Sequence, residues 1–226
     1  MGTLFIVGTS IGNLEDISLR ALRTLKEVDC ILCEDTRVTK KLLAYYQIDK
    51  PLISYHQHSD AKKVSGILEL LREGKSLAFV TDAGTPGISD PGNELVAEVV
   101  RQMPDVKIVP IPGPSALTAV ASIAGFPMDK FVFLGFPPVK KGRKKFFEGI
   151  AQAEYPVIFY ESPYRILKSL SELQSLVISH QLSVSVVVGR ELTKKFETVY
   201  RGTIDEVVEQ LRGSKVRGEF VIVVGR

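Results

Sequence analysis

The chain reads as an α/β protein of two domains, and three observations lead there. Short apolar runs alternate with segments whose apolar residues recur every three or four positions, the rhythm of strand, helix, strand. Pro110-Ile-Pro-Gly-Pro114 breaks that rhythm at mid-chain, where prolines restrict both themselves and the residues before them. Beyond the break the strands follow one another more closely, in hairpin-like stretches. The expected domains are residues 1–113, with a mostly parallel sheet, and 114–226, with a mixed one.

The elements follow in order. Residues 3–9 form an apolar strand that runs into glycine, and residues 17–28 carry Leu19, Leu22, Leu25 and Val28 at helical spacing. A strand is expected at 30–34, a helix at 39–46 and a short strand at 52–55. A helix at 61–73 is ended by Gly74. The strand 76–81, the helix 93–103 and the strand 106–111 complete the first half. The second half opens on a helix of small residues at 115–124 and a strand at 131–136. Then come a helix at 144–153, a strand at 157–160 and a helix at 166–176. Strands at 183–188, 198–201 and 219–224 close the chain, with a helix at 205–211 before the last.

The 226 residues are 45% apolar, with mean hydropathy +0.12, enough to bury a sizeable core. No apolar run approaches the roughly 20 residues that span a bilayer. The N-terminus lacks the charged-then-apolar pattern of a secretory signal. The expectation is a soluble, cytoplasmic protein with no membrane partner. A net charge of +3 and a pI near 8.8 permit a polyanionic partner without demanding one. The run Lys140-Lys141-Gly142-Arg143-Lys144-Lys145 reads either as a solvated charge run or as a polyanion contact. Cys30 and Cys33 have C-x-x-C spacing but sit in a strand, where positions three apart face opposite sides. No further zinc ligands stand at suitable spacing. They read as two ordinary buried cysteines, and nothing in the sequence requires a metal.

Chemistry gathers where strands end. Asp82-Ala-Gly-Thr-Pro-Gly-Ile-Ser-Asp-Pro-Gly92 follows an apolar strand, and its three glycines and two prolines suit a backbone of fixed shape that a ligand approaches. Residues 9–13, 34–37, 56–58 and 112–114 also follow strands. In a parallel sheet these segments share one edge, which is where open α/β sheets bind ligands. Gly8-Thr-Ser-Ile-Gly12 lacks the close glycine pair of a dinucleotide fold, and no P-loop run is present. His56 and His58 suit proton transfer or phosphate contact, or are solvated histidines. Glu34, Asp35 and Arg37 either pair with one another or meet a ligand. Glu161 with Arg165, and Arg190 with Glu191, pose the same choice.

Together these motifs resemble the tetrapyrrole methylase superfamily, and within it the bacterial branch that methylates ribosomal RNA. The resemblance is carried by Phe5-Ile-Val-Gly-Thr-Ser-Ile-Gly-Asn-Leu-Glu-Asp16, Cys33-Glu-Asp-Thr-Arg37, Ser54-Tyr-His-Gln-His58 and the 82–92 loop. It continues through Pro110-Ile-Pro-Gly-Pro-Ser-Ala116, Phe159-Tyr-Glu-Ser-Pro-Tyr-Arg165 and Gly189-Arg-Glu-Leu-Thr-Lys194. It implies the tetrapyrrole methylase fold, with S-adenosylmethionine in a cleft between two α/β domains. The activity it implies is methyl transfer to the ribose 2′-hydroxyl of a cytidine in 16S ribosomal RNA, near the decoding centre. By the same resemblance the cofactor meets Gly8, Ile11, Asp82, Gly84, Thr85, Ile88, Ser115, Ala116, Phe136 and Tyr160. RNA, free or in the small ribosomal subunit, is expected at Arg37, Lys40, Lys41, His58, Lys140, Lys141, Arg143, Lys144, Lys145 and Arg165. The general base is sought among His56, Glu34, Asp35 and Glu161. A homodimer is expected. Two departures stand out. Ser10 occupies a position where the family usually has proline, and family members generally continue past Val221-Ile-Val-Val-Gly225 into a small extension. If that extension helps hold the substrate, RNA affinity or substrate identity is expected to differ here. Two other functions stay open: methylation of a small tetrapyrrole precursor, and cofactor binding without catalysis.

Overall fold

A computed structural model gives the fold and describes residues 1–56, 61–90, 92–214 and 216–226. The chain divides into two compact units, Met1–Ser115 and Ala116–Arg226.

In the first unit the strands are β1 (Thr3–Val7), β2 (Cys30–Cys33), β3 (Leu52–Ser54), β4 (Leu77–Val80) and β5 (Lys107–Ile111). They pair in the order β3-β2-β4-β1-β5, every pair parallel. The helices between them are α1 (Leu19–Glu27), α2 (Thr36–Tyr45), α3 (Ala61–Arg72) and α4 (Gly92–Gln102). All four residues of β2 and of β4 are buried, as expected of strands covered on both faces. Their side chains alternate between two cores. Cys30, Leu32, Leu77 and Phe79 pack with Ile67, Leu71, Leu95 and Val99, whereas Ile31, Cys33, Ala78 and Val80 pack with Ala21, Leu25 and Leu43. Cys30 and Cys33 are therefore free, buried and on opposite faces, and burial pushes both thiols up.

Caps account for where the helices begin. Ser18 Oγ accepts the Ala21 amide at 3.1 Å, which starts α1. Asp35 accepts the Arg37 amide at 2.8 Å, so α2 begins at Thr36, three residues before the periodicity alone places it. The expected loop 34–37 is thus half helix, and Asp35 is its cap.

In the second unit α5 (Ala116–Ser122), β6 (Val132–Phe133), α6 (Arg143–Ala151), β7 (Val157–Glu161) and α7 (Ile166–Ser179) come first. They are followed by β8 (Ser185–Arg190), β9 (Thr198–Gly202), α8 (Ile204–Arg212) and β10 (Phe220–Gly225). The sheet order is β6-β7-β10-β8-β9, with β6 and β7 parallel and the other pairs antiparallel. This is the mixed sheet that the hairpin-like spacing predicts. Val157, Phe159, Val186, Val188, Ile222 and Val224 face α6, α7 and α8, while Ile158, Val187, Val221 and Val223 face α5. The strand expected at 131–136 is short because Gly135, with φ +63°, turns the chain after the ladder bond from Tyr160 N–H to its carbonyl. Among the described residues no helix is long and apolar enough to cross a membrane.

One contact shows how tightly the first unit closes. A Cβ on Gly113 would stand 2.7 Å from the carbonyl oxygen of Gly8, and one on Gly8 would stand 2.8 Å from the Gly113 Cα. Both neighbours are backbone, which cannot rotate away. Gly113→Ala is expected to destabilise the protein by about 1–3 kcal/mol through this overlap, read as a lower urea midpoint. An unchanged midpoint would mean that the two backbones separate freely.

Candidate functional site

The parallel direction of the first sheet brings the ends of β1, β2, β4 and β5 to one rim. Hydrogen bonds join the loops there. Thr9 N–H donates to Gly84 O at 2.9 Å and Gly84 N–H to Ser10 O at 3.3 Å, which ties the β1 loop to the β4 loop. Gly8 N–H donates to Ile111 O at 3.0 Å, which adds the end of β5. Asp35 N–H donates to Asp82 Oδ1 at 3.1 Å, and Thr81 Oγ1 to Glu34 Oε2 at 3.3 Å, which joins β2 to β4. Thr85 Oγ1 donates to Pro114 O at 3.2 Å. Gly84 holds φ +85°, a left-handed conformation that favours glycine, and Ile11 packs beneath it. Asp90 accepts the amides of Gly87 and Gly92 at 2.6 and 3.1 Å and so fixes the far end of the loop.

The rim is electrostatically unusual. Partial burial raises the Glu34 carboxyl above its ordinary value, and the nearby Asp82 raises it further. Partial desolvation also raises Asp82. Asp35 goes the other way: the Arg37 guanidinium, hydrogen-bonded at 2.6 Å, draws its carboxyl down to about 2. Thr9, which residue typing alone does not single out, holds the one buried side-chain oxygen or nitrogen among the described residues with no hydrogen-bond partner. A buried hydroxyl normally finds a partner, so Thr9 Oγ1 marks a place where an incoming group is complementary. Two carboxyls raised above their ordinary values and an unpartnered hydroxyl thus lie on the loops of one rim.

The other expected residues distribute as follows. Gly8, Ile11, Asp82, Gly84 and Thr85 lie at this rim, with Ile88 exposed on the same loop and Ser115 at the end of the unit. Arg37, Lys40 and Lys41 are exposed on α2, and His56 follows β3. His58 lies outside the described residues. In the second unit Ala116 begins α5, and the Tyr160 ring meets Phe133 edge-on at 5.0 Å and the exposed Phe136 at a tilt at 5.4 Å. Lys140, Lys141, Lys144 and Lys145 are exposed.

Three expectations need correction. Arg143 is not part of a solvated run: it is 7% exposed, donates to Glu172 at 2.7 Å and Ser169 at 2.8 Å, and lies 3.8 Å from Glu161. Glu161 is 1% exposed, and its oxygens accept from Ser162 N–H, Ser169 Oγ and Arg165. A carboxylate so enclosed has no lone pair to offer a substrate. Arg165 is committed to Glu161 and to the Pro137 carbonyl, rather than free for a phosphate. Gly142, with φ +85°, turns the chain so that Arg143 joins Glu161, Arg165 and Glu172 in one charge network while its lysine neighbours stay exposed. Among the described residues no group of three or more His, Cys, Asp or Glu side chains is placed to hold a metal ion.

A doubly covered parallel sheet, a polar rim at its carboxyl edge and a second, mixed sheet describe a two-unit α/β class with its loops gathered at one rim. The family model of Tetrapyrrole (Corrin/Porphyrin) Methylases matches residues 3–208, and the chain belongs to that family. It is 45% identical, over 99% of its length and 98% of the relative's, to a Thermotoga maritima protein named ribosomal RNA small subunit methyltransferase I. A Bacillus subtilis protein of the same name is 43% identical over 99% of this chain and 75% of its own. Relatives thus differ in how much chain lies outside the aligned part. Among solved structures, the cobalamin biosynthetic enzyme cobalt precorrin-4 methyltransferase superposes with TM-score 0.71 at 21% identity, covering 99% of this chain and 94% of its own. Uroporphyrin-III-C-methyltransferase from Thermus thermophilus gives 0.67 at 17%, covering 100% and 94%. These structures share the fold.

Arg143→Ala is expected to cost about 3 kcal/mol of stability, because it leaves Glu161 buried with part of its counter-charge removed. Chemical denaturation measures this. A variant as stable as the parent would return Arg143 to the surface.

Proposed function

We propose that the protein is an S-adenosylmethionine-dependent methyltransferase acting on the ribose 2′-hydroxyl of a cytidine in 16S ribosomal RNA near the decoding centre. The observation that carries this reading is the identity pattern: 45% over nearly all of a relative named for ribosomal RNA, against 17–21% for the tetrapyrrole enzymes. The rim supports the donor. Thr9 Oγ1 and the backbone around Gly84 would hold its polar groups, Ile11 and Ile88 would pack on its adenine, and Asp82 suits a positive charge nearby. Bound there, the cofactor supplies a methyl group on a sulfonium.

Glu34 is the residue we assign as general base. Asp35, held near 2 by Arg37, is too weak a base, and Glu161 is enclosed. Glu34 is half-buried, its carboxyl raised by burial, and Thr81 Oγ1 orients one oxygen at 3.3 Å. His56 lies close enough to favour the ionised form of Glu34. The other carboxylate oxygen would accept the proton that the ribose hydroxyl gives up. Arg37, Lys40 and Lys41, on the exposed face of α2, would meet phosphates and hold the strand in register.

The direct test incubates the protein with methyl-labelled cofactor and small ribosomal subunits that lack the modification, then maps the labelled nucleotide. A single 2′-O-methylcytidine in 16S RNA is expected. Label on a porphyrin precursor instead would move the acceptor, and cofactor binding without transfer would make the protein a non-catalytic binder. Glu34→Gln should lower kcat by about 10²–10⁴-fold with little change in cofactor affinity. In the parent the rate should fall as the pH drops through a midpoint above 4.5, because the raised carboxyl becomes protonated there, and the variant should lose that limb. Asp82→Ala should weaken cofactor binding at least roughly tenfold by calorimetry, the order expected for losing one charged contact. Unchanged affinity would remove Asp82 from the site.

A further inference from the structure

The second sheet has an edge whose loops carry exposed rings, at Tyr164 and Phe196, that the proposed function does not use. Phe220 at the start of β10 is in register with Glu161 at the end of β7 and with Arg190 at the end of β8, and Arg190 is in register with Thr198 at the start of β9. On the β6 side, Tyr160 N–H donates to Gly135 O at 2.9 Å. The loops 134–142, 162–165 and 191–197 therefore leave the same edge at the same level. Tyr164 is 95% exposed on the second loop, and Phe196 is 68% exposed on the third. The strands that launch them, β7 and β8, are separated by β10 alone, so they lie about 10 Å apart.

Cations accompany these rings. Lys195 Nζ stands 5.7 Å from the centre of the Phe196 ring, and Lys140 and Lys141 are exposed on the first loop. Among the described residues no carboxylate pairs with these three lysines. The acidic groups of the edge are occupied within it. Glu161 is enclosed by the arginine network, Glu191 and Glu219 share Lys194 at 3.0 and 2.8 Å, and Glu197 accepts the Thr193 amide at 2.5 Å. Glu197 and Glu219 stay exposed while so engaged, and beside Tyr164, Phe196 and the three lysines the first loop also exposes Leu134, Phe136 and Val139.

The third loop is also held in one shape. Glu191 and Thr193 adopt φ +51° and +67°, left-handed values that non-glycine residues avoid and that persist only where surroundings impose them. Here Leu192 is buried against Gly189, and Glu191 accepts the Glu219 amide at 2.9 Å. A ring presented on a preorganised turn loses little entropy when a flat ligand stacks on it. Separate aromatic platforms beside unpaired lysines are the chemistry of single-stranded nucleic acid binding, where rings stack bases and cations track phosphates. The lysines set among these exposed side chains favour a polyanion over a wholly apolar protein face.

We propose that this edge of the second sheet is a contact surface for single-stranded RNA, with Tyr164 and Phe196 as base-stacking platforms and Lys140, Lys141 and Lys195 as phosphate contacts. The proposal rests on the RNA-substrate reading above and locates where that substrate is held. The test measures anisotropy of a fluorescein-labelled 20-nucleotide single-stranded RNA against the full chain, from 50 to 200 mM salt. Alongside it run methyl transfer to small subunits, cofactor calorimetry and sedimentation. Tyr164→Ala and Phe196→Ala should each weaken binding roughly 5- to 100-fold, whereas Tyr164→Phe and Phe196→Tyr keep it. Lys195→Gln should reduce the slope of log affinity against log salt by about 0.7. Melting temperature and cofactor affinity should not change, since all three side chains are exposed. If the parent methylates subunits and the alanine variants bind RNA as it does, this surface is wrong and the substrate reading stands. If no methylation occurs yet RNA affinity still falls in the variants, the surface stands and the substrate reading fails. Dissociation of a dimer by Tyr164→Ala or Phe196→Ala, with RNA affinity unchanged, would overturn the proposal and make the edge an interface between copies.

Discussion

The common direction of the five strands in the first sheet is the constraint from which the rest follows. Parallel strands joined by crossover helices deliver every strand's carboxyl end to one side. Asp35 and Asp82, 47 positions apart in the chain, thereby share a hydrogen bond, and the backbones of Gly8 and Gly113 come into contact. The direction can be kept only while helices cover both faces. The alternation of buried side chains along β2 and β4 does this, sending each successive residue to the opposite core. A one-residue slip would exchange Phe79 for Ala78 against α3 and α4, so the register of the core is also the register of the rim.

Two carboxylates of the same type show how environment assigns chemistry. Glu34 sits half-buried near Asp82, with the Thr81 hydroxyl donating to it, and folding makes its ionised form costlier than in the free side chain. Such a group gains when a cation arrives or when a proton must be taken. Glu161 is more deeply buried, yet two arginines and a serine satisfy it. Its charge is neutralised in place, and it organises the β7–α7 turn and the loop whose carbonyls receive Arg143 and Arg165. Geometry separates a reactive acid from a structural one where residue type does not.

That structural network bears on the surface above it. Pro137 and Pro138, whose carbonyls the two arginines grip, lie in the loop that carries the exposed lysines. The buried charges thus hold the outer loop from beneath, and exposed and buried members of a single basic run perform different tasks.

The alternation of strand and helix, the parallel first sheet, the mixed second one and the gathering of loops at one rim were legible in the amino-acid order. Periodicity, glycine and proline placement are local properties that each segment expresses by itself. So was the placement of Cys30 and Cys33, since strand geometry alone sends them to opposite faces. The start of α2 needed the cap at Asp35, whose side chain had two uses open to it until the fold chose one. Only the tertiary structure decided which charges are paired. It buried Arg143 from the middle of a lysine run, enclosed Glu161, quieted Asp35 with Arg37 and left Thr9 Oγ1 without a partner. The physical reason is that a charge takes its meaning from neighbours supplied by distant segments, and no spacing along the chain encodes which of them will arrive.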